Sequence, residues 1–293
     1  MSEYLVTGDY MKYFVTENGI LIEKLKTIYP DYSVNKLRNM LSNNCIYLDN
    51  EVVHKAKKPI HKGDIIEIKN NKNIGGKINF RVIFEDKYLI VVNKPSKLLS
   101  VSTNKLERDT MHSRVLNYVR RADIKKWIWI VHRLDRETSG VMVFAKSKNV
   151  KIALQEMFAN NLVKRIYYAI VEGVPTRVKG RIESYLHESK NLFVRELKKP
   201  NHKSKKAITC WKKIEDNGDF SLLQISIETG KRHQIRVQMS GIGFPIVGDK
   251  KYGNTKNKFY RMALHAGELE LIHPITNEKL KFTCEHNFKK IYD

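Results

Sequence analysis

A chain of 293 residues with 42% hydrophobic side chains has enough apolar surface for packed cores in one large and one small domain, which excludes global disorder. Lysine and arginine outnumber aspartate and glutamate by 54 to 31, a net charge of +23, and that excess points to a polyanionic partner. Several features argue against a membrane. No apolar run approaches the ~20 residues that a spanning helix requires. The first residues lack the basic-then-apolar pattern of a signal peptide, and the basic residues are spread along the chain. Cys45, Cys210 and Cys284 are odd in number and lack paired spacing, which predicts neither a disulfide framework nor a metal site and suits a reducing cytoplasm.

Residues 1 to about 17 alternate polar and apolar side chains without a clear identity. From Gly19 onward, Ile20, Leu21, Ile22 and Leu25 predict an amphipathic helix ending near Pro30. Ser33 is placed to cap a second helix with Leu37, Met40 and Leu41 on one face. A short strand at 46–48, a turn at Asp49 and Asn50, and strands closed by Gly63 and Asp64 follow. Two helices followed by such strands resemble the small RNA-binding module of the S-four type, named after a small-subunit ribosomal protein. Two positions depart from it: Val34 stands where arginine is usual and Asn44 where glycine is usual. The resemblance implies phosphate contacts from this module, for which Lys36 and Arg38 are the candidates. Residues 70–78, polar and glycine-bearing, predict a linker between residues 1–72 and a second domain at 79–293.

In the second domain, 82–86 and 89–95 read as strands, 110–121 as a helix, and 150–158 as another. Residues 127–131 and 141–145 read as two buried strands flanking His132-Arg133-Leu134-Asp135-Arg136-Glu137-Thr138-Ser139-Gly140. A connection between strands needs only turn residues, whereas this one carries charges and hydroxyls of the kind that catalytic loops hold. Residues 164–173 predict a strand bearing Tyr167 and Tyr168 on opposite faces. Short strands between 181 and 215 carry a basic patch of Arg195, Lys198, Lys199, His202, Lys203, Lys205 and Lys206, which suits phosphate contact. A strand at 220–229 leads into Thr229-Gly230-Lys231-Arg232-His233-Gln234-Ile235-Arg236.

The nine-residue stretch at 132–140 resembles the central motif of the RluA-type pseudouridine synthases. The runs at 89–95, 164–173, 229–236, 247–253 and 261–266 resemble further motifs of that family, in order, although Lys97 and Lys231 stand where glycine and arginine are usual. The resemblance implies an α+β fold with a mixed, mainly antiparallel sheet in the catalytic domain and the active cleft across its middle. It implies Asp135 as the catalytic nucleophile, Arg236 as its ion-pair partner, and Tyr167 as the residue that stacks on uracil. Leu264 would line the base pocket, and His132 and Arg133 would grip the RNA from which a uridine is flipped. Lys231, Arg232, Lys203, Lys205 and Lys206 complete the expected RNA contacts. The reaction requires no metal and no cofactor, the expected partner is ribosomal or transfer RNA, and the family default is a cytoplasmic monomer with no obligate protein partner. Three other readings stay open at this stage. They are a solvated charged turn at 132–140, an RNA-binding protein without catalysis, and a hydrolase pairing Asp135 with Glu137.

Overall fold

The structure, a computed structural model, describes residues 4–7, 10–30, 32–42, 44–69, 80–102, 107, 109–121, 123, 125–189, 191–197, 199–253 and 259–288. The expected linker at 70–78 and Lys198 of the basic patch lie outside the described residues. The chain divides into two compact units, Met1–Ile78 with Asn117–Lys125, and Asn79–Leu116 with Lys126–Asp293.

In the first unit, β1 (Tyr4–Thr7), β2 (Tyr10–Phe14) and the short β3 (Gly19–Ile20) precede α1 (Leu21–Ile28) and α2 (Val34–Ser42). Leucines at i and i+4 on each helix, Leu21 with Leu25 and Leu37 with Leu41, are buried in a core shared with Ile46, Leu48 and Ile66. Ile20, expected at the head of the first helix, is instead extended, and it pairs with Pro59 of β6 (Pro59–Ile60). Ser33 Oγ accepts the Lys36 N–H at 3.3 Å, as the capping pattern requires. The hairpin of β4 (Ile46–Leu48) and β5 (Glu51–Val52) turns on Asp49 and Asn50, whose φ values of 49° and 71° are what a tight two-residue hairpin turn demands. Asn44 adopts φ 57°, a conformation asparagine tolerates in place of glycine. With β7 (Ile65–Lys69) these strands form a sheet ordered β1-β2-β7-β4-β5.

The second unit is built on one large sheet. Its strands are β8 (Arg81–Glu85), β9 (Leu89–Lys94), β10 (Trp129–Ile130), β11 (Ser139–Ala145), β12 (Lys164–Glu172), β13 (Lys179–Glu188), β14 (Val194–Leu197), β15 (Lys205–Asp216), β16 (Phe220–Ile227), β17 (Leu264–Ile272) and β18 (Lys279–Thr283). The order is β14-β13-β15-β16-β12-β17-β11-β9-β8, with β10 on β11 and β18 on β17. The β11–β17 pair is parallel and the other strand pairs are antiparallel, so the sheet is mixed and mainly antiparallel. Helix α3 (Met111–Arg120) is divided between the two units after Leu116, and α4 (Lys148–Ala159) and α5 (Gln234–Gly241) complete the second.

Every residue of β11 is buried, which explains its unbroken apolar spelling: a strand covered on both faces has no polar alternation. Gly140 in β11 has φ +118°, and a Cβ there would lie 2.1 Å from the Ala266 carbonyl oxygen of β17. Only glycine lets these two strands meet, and their meeting brings the 131–138 loop beside β12. The buried strand expected at 127–131 is shorter than its composition suggests. Only Trp129 and Ile130 pair, with Ala145 and Phe144, and Trp127 is 44% exposed.

Candidate active site

A cleft of ≈ 490 Å3 opens in the second unit, lined by the 131–135 loop, β12, the 227–236 segment and Leu264. Three elements place its chemistry. The loop carries Asp135, β12 carries Tyr167, and the first turn of α5 carries Arg236.

The loop is held from below by the segment that follows β9. Ser100 Oγ donates to the Leu134 carbonyl at 2.7 Å and accepts the Leu134 N–H at 3.0 Å. Ser96 Oγ donates to the Glu137 carbonyl at 2.8 Å. Between them, the fully buried Lys94 ammonium donates to the carbonyls of Pro95, Leu98 and Arg136 at 2.9, 2.6 and 3.2 Å. Burial draws the Lys94 pKa down from 10.5 to about 7, against the opposing attraction of Asp135 and Glu137. The backbone on both sides of Asp135 is therefore fixed by side chains, which holds its carboxylate in place.

Helix α5 is bolted to β15 by two amides at i and i+4. Gln234 donates to the Ile208 carbonyl at 2.9 Å, and Gln238 donates to Ser184 Oγ at 2.9 Å and to the Ala207 carbonyl at 3.1 Å. Arg236 lies between them in sequence. Its Nη1 donates to Asp135 Oδ2 at 3.2 Å, while Nε and Nη2 grip Asp249 at 2.7 and 2.8 Å. The expected pair of Arg236 with Asp135 is present, but the two-pronged partner of this buried guanidinium is Asp249. Burial opposes the charge on Arg236, and the bonds and charge of Asp249 together with Asp135 overcome it and raise its pKa. Burial likewise opposes the Asp249 charge, but Arg236 and the backbone N–H groups of Lys251 and Tyr252 hold its carboxyl below the usual range.

His233 caps α5 in the left-handed conformation, φ 54°. Its Nδ1 shares a hydrogen bond of 2.8 Å with the Tyr252 hydroxyl, and its Nε2 stands 3.9 Å from Asp135 Oδ2. Burial lowers its pKa to about 4 despite the pull of Asp135, so the ring is neutral at physiological pH. Tyr167 is pushed up to about 12, chiefly by burial; the Arg165 charge works against the shift and Asp135 with it. It is a phenol with an apolar ring face, suited to stacking. The strand after it contributes Leu264, buried and opposite Ala169 of β12 in the sheet register.

The remaining expected contacts separate into groups. Arg133 is exposed on the cleft wall, and Lys231 and Arg232 line it as well, Arg232 with Glu188 at 2.8 Å. His132 lines the cleft, but its ring stacks on Phe158 at 4.7 Å, Nε2 accepts the Val143 N–H at 3.1 Å, and burial drops its pKa to about 3. It has no charge to offer a phosphate, so of the expected gripping pair only Arg133 is a cation. Lys203, Lys205 and Lys206 are exposed around the turn into β15 and do not line the cleft; Lys206 pairs with Glu183 at 2.5 Å. Lys36 and Arg38 lie on α2 of the first unit, where the Lys36 ammonium sits 3.3 Å from the Tyr32 ring centroid. Glu137, the second acid of the hydrolase reading, does not line the cleft either.

The family model for RNA pseudouridylate synthase matches residues 88–241, the span that holds Asp135, Tyr167 and Arg236. The chain belongs to that family. It is an isomerase acting on RNA, of the RluA type. Ribosomal large subunit pseudouridine synthase D of Blochmanniella floridana is 30% identical over 288 residues, 89% of this chain and 88% of its own. The uncharacterized RNA pseudouridine synthase YjbO of Bacillus subtilis is 31% identical over 69% of this chain and 70% of its own. In fold, the synthase matches human RNA pseudouridylate synthase domain containing 4 with a TM-score of 0.60 at 24% identity, over 71% of this chain and 89% of that one.

His233 and Arg165, which line the synthase's cleft, and Asp249, Tyr252 and Lys94, which support it from behind, were left without a role by sequence reasoning. A signal existed for Asp249. The run from Val247 to Gly253 is a turn in which Asp249 Oδ1 accepts the N–H groups of Lys251 and Tyr252, a pattern open to aspartate and asparagine. Lys94 lies in the 89–95 run that resembles a family motif, but a lysine that ends a strand reads as a solvated one, so its burial was not expected.

Proposed function

We propose that the cleft isomerises selected uridines of large-subunit ribosomal RNA to pseudouridine, with Asp135 as nucleophile and the target base flipped out of its stack. The observation that carries this reading is the convergence of the Asp135 carboxylate, the Arg236 guanidinium and the Tyr167 ring in one cleft of a chain of this family. The names of relatives aligned over most of their length support the ribosomal target. In the reaction the bond from ribose C1′ to uracil N1 breaks, a bond from C1′ to C5 forms, the C5 proton leaves, and N1 takes up a proton. Attack on the anomeric carbon and attack on the uracil ring demand the same ionised carboxylate oxygen, which Arg236 steadies from one side. Tyr167 and Leu264 provide apolar surfaces between which the detached uracil stays out of water. Tyr167 stacks on the uracil and helps take the proton from C5. Arg133 at the cleft wall holds the phosphate of the flipped nucleotide.

Residues 1–72 act in this reading as an S-four-type module that adds RNA contacts through Lys36 and Arg38, and residues 79–293 carry the chemistry. Lys203, Lys205 and Lys206 contact phosphates away from the cleft, and the enzyme works as a cytoplasmic monomer. Among the described residues no helix is long and apolar enough to cross a membrane.

Tritium release from C5-labelled large-subunit ribosomal RNA tests the assignment. Wild type is expected to release label, and Asp135→Asn to release none while binding the RNA within a few-fold of wild type. Turnover by Asp135→Asn would rule out Asp135 as the nucleophile.

A further inference from the structure

Arg165 stands two residues before Tyr167 on β12, on the same face of the strand, and lines the cleft. Of the other arginines that line the cleft, Arg236 has its charge matched by Asp249 and Asp135 and Arg232 by Glu188, while Arg133 is exposed to solvent. Among the described residues Arg165 has no carboxylate partner. Among the described residues its buried Nε makes no hydrogen bond, and the acceptor of its Nη2 is the Glu228 carbonyl at 3.5 Å. Burial lowers its pKa, the mark of a cation that the free protein does not fully compensate.

The surroundings nonetheless keep a seat for it. The guanidinium carbon lies 5.7 Å from the Phe158 ring centroid. A Cβ on Gly230 would come within 2.6 Å of Nη1, although Gly230 does not need glycine for its backbone angles. A glycine is thus spent where only the arginine needs room. A half-buried cation without its counter-charge is costly unless an anion arrives with the ligand. RNA supplies such an anion at every nucleotide, and the planar fork of a guanidinium matches it.

We propose that Arg165 is a phosphate-binding residue of the cleft, which grips a backbone phosphodiester next to the uridine stacked on Tyr167. The inference rests on the RNA-isomerase reading of the same cleft and deepens it.

The test measures binding of a short oligouridylate to the full-length protein by fluorescence anisotropy across a salt series. Loss of one phosphate contact is expected to flatten the slope of log affinity against log salt by about 0.7 in Arg165→Met. Arg165→Lys should keep the slope with a modestly weaker affinity, and Gly230→Ala, which crowds the guanidinium from its seat, should resemble Arg165→Met. An oligomer with neutral methylphosphonate linkages should bind wild type and Arg165→Met alike. The melting temperature of Arg165→Met should equal or exceed that of wild type, because the residue removed is uncompensated. With labelled ribosomal RNA, KM should rise and kcat hold. An unchanged salt slope, a lowered melting temperature, or a fall in kcat at constant KM each overturns the assignment; the last would place Arg165 in the chemical step instead. Wild-type protein that releases no tritium, with the slope still lost in Arg165→Met, would leave the phosphate site standing and remove the isomerase reading.

Discussion

Replacing Asp249 with asparagine keeps the size of the side chain and removes the charge that grips Arg236. In the native cleft the two side chains are 8% and 1% exposed and are joined by two hydrogen bonds of 2.7 and 2.8 Å. Removing one partner of a buried ion pair costs about 3–5 kcal/mol, because the other charge is left desolvated. Arg236 retains its contact to Asp135 at 3.2 Å, and an asparagine oxygen still accepts one bond, so the loss should lie near the lower end of that range. With a urea dependence of about 1–3 kcal/mol per molar, the unfolding midpoint should drop by roughly 1–3 M. Tryptophan fluorescence reads this out selectively, since Trp127, Trp129 and Trp211 all belong to the second unit. The pH dependence adds a second readout. The Asp249 pKa is lower in the folded chain than its ordinary 3.8, so its stabilisation is present above that value and is lost as pH falls through the folded one. Asp249→Asn should therefore lose less stability on acidification than wild type. The double variant Asp249→Asn, Arg236→Met should recover part of the loss at neutral pH, because no buried guanidinium is then stranded and the carboxylate that loses its partner, Asp135, is 25% exposed. A single variant within about 0.5 kcal/mol of wild type would refute the view that this pair anchors the cleft.

Lys97 occupies φ 66°, where a side chain costs roughly 1–2 kcal/mol relative to glycine. Lys97→Gly should raise stability by about 0.5–1 kcal/mol after the added freedom of the unfolded chain is counted, and a destabilised variant in urea titration would contradict the strain argument. Folded Lys94 gives up its proton near pH 7, whereas the unfolded side chain keeps it until about 10.5, so the unfolded chain binds more protons in that interval and stability rises with pH across it. Wild type should gain about 2–3 kcal/mol on Lys94→Met between roughly pH 7.5 and 9.5. Parallel stability curves would show that the buried amine keeps an ordinary pKa. Arg133→Ala should leave the melting temperature unchanged, because the side chain is exposed, and should flatten the salt dependence of RNA binding by about 0.7. An unchanged slope would remove Arg133 from the RNA contacts.

Much of this architecture was legible from spacing. The apolar run of β11 from Val141 to Ala145 and the apolar stretches of β9 and β12 have the composition of buried strands, and Ser33 with the i, i+4 leucines marks α2. Asp135, Tyr167 and Arg236 are far apart in sequence, and their convergence was expected only from the family resemblance, since no local pattern encodes it. The parts that stayed hidden are tertiary. Whether His132 is a charged hook or a neutral wall depends on Phe158 and Val143, which its neighbours in sequence do not reveal. The role of Asp249 depends on Arg236 reaching it from another element. The 127–131 run looked like a longer strand because apolar composition does not say how many residues find a partner; here only Trp129 and Ile130 do. Strands β1 and β2 fall in a stretch whose polar and apolar alternation gave no clear identity; β2 pairs with β7, and β1 pairs with β2.

The most direct test of the account maps pseudouridine base by base in the RNA of cells that lack this gene, with wild type or Asp135→Asn returned. The account predicts that one or a few sites in large-subunit ribosomal RNA disappear, reappear with wild type, and stay absent with Asp135→Asn. Restoration of those sites by Asp135→Asn would contradict it.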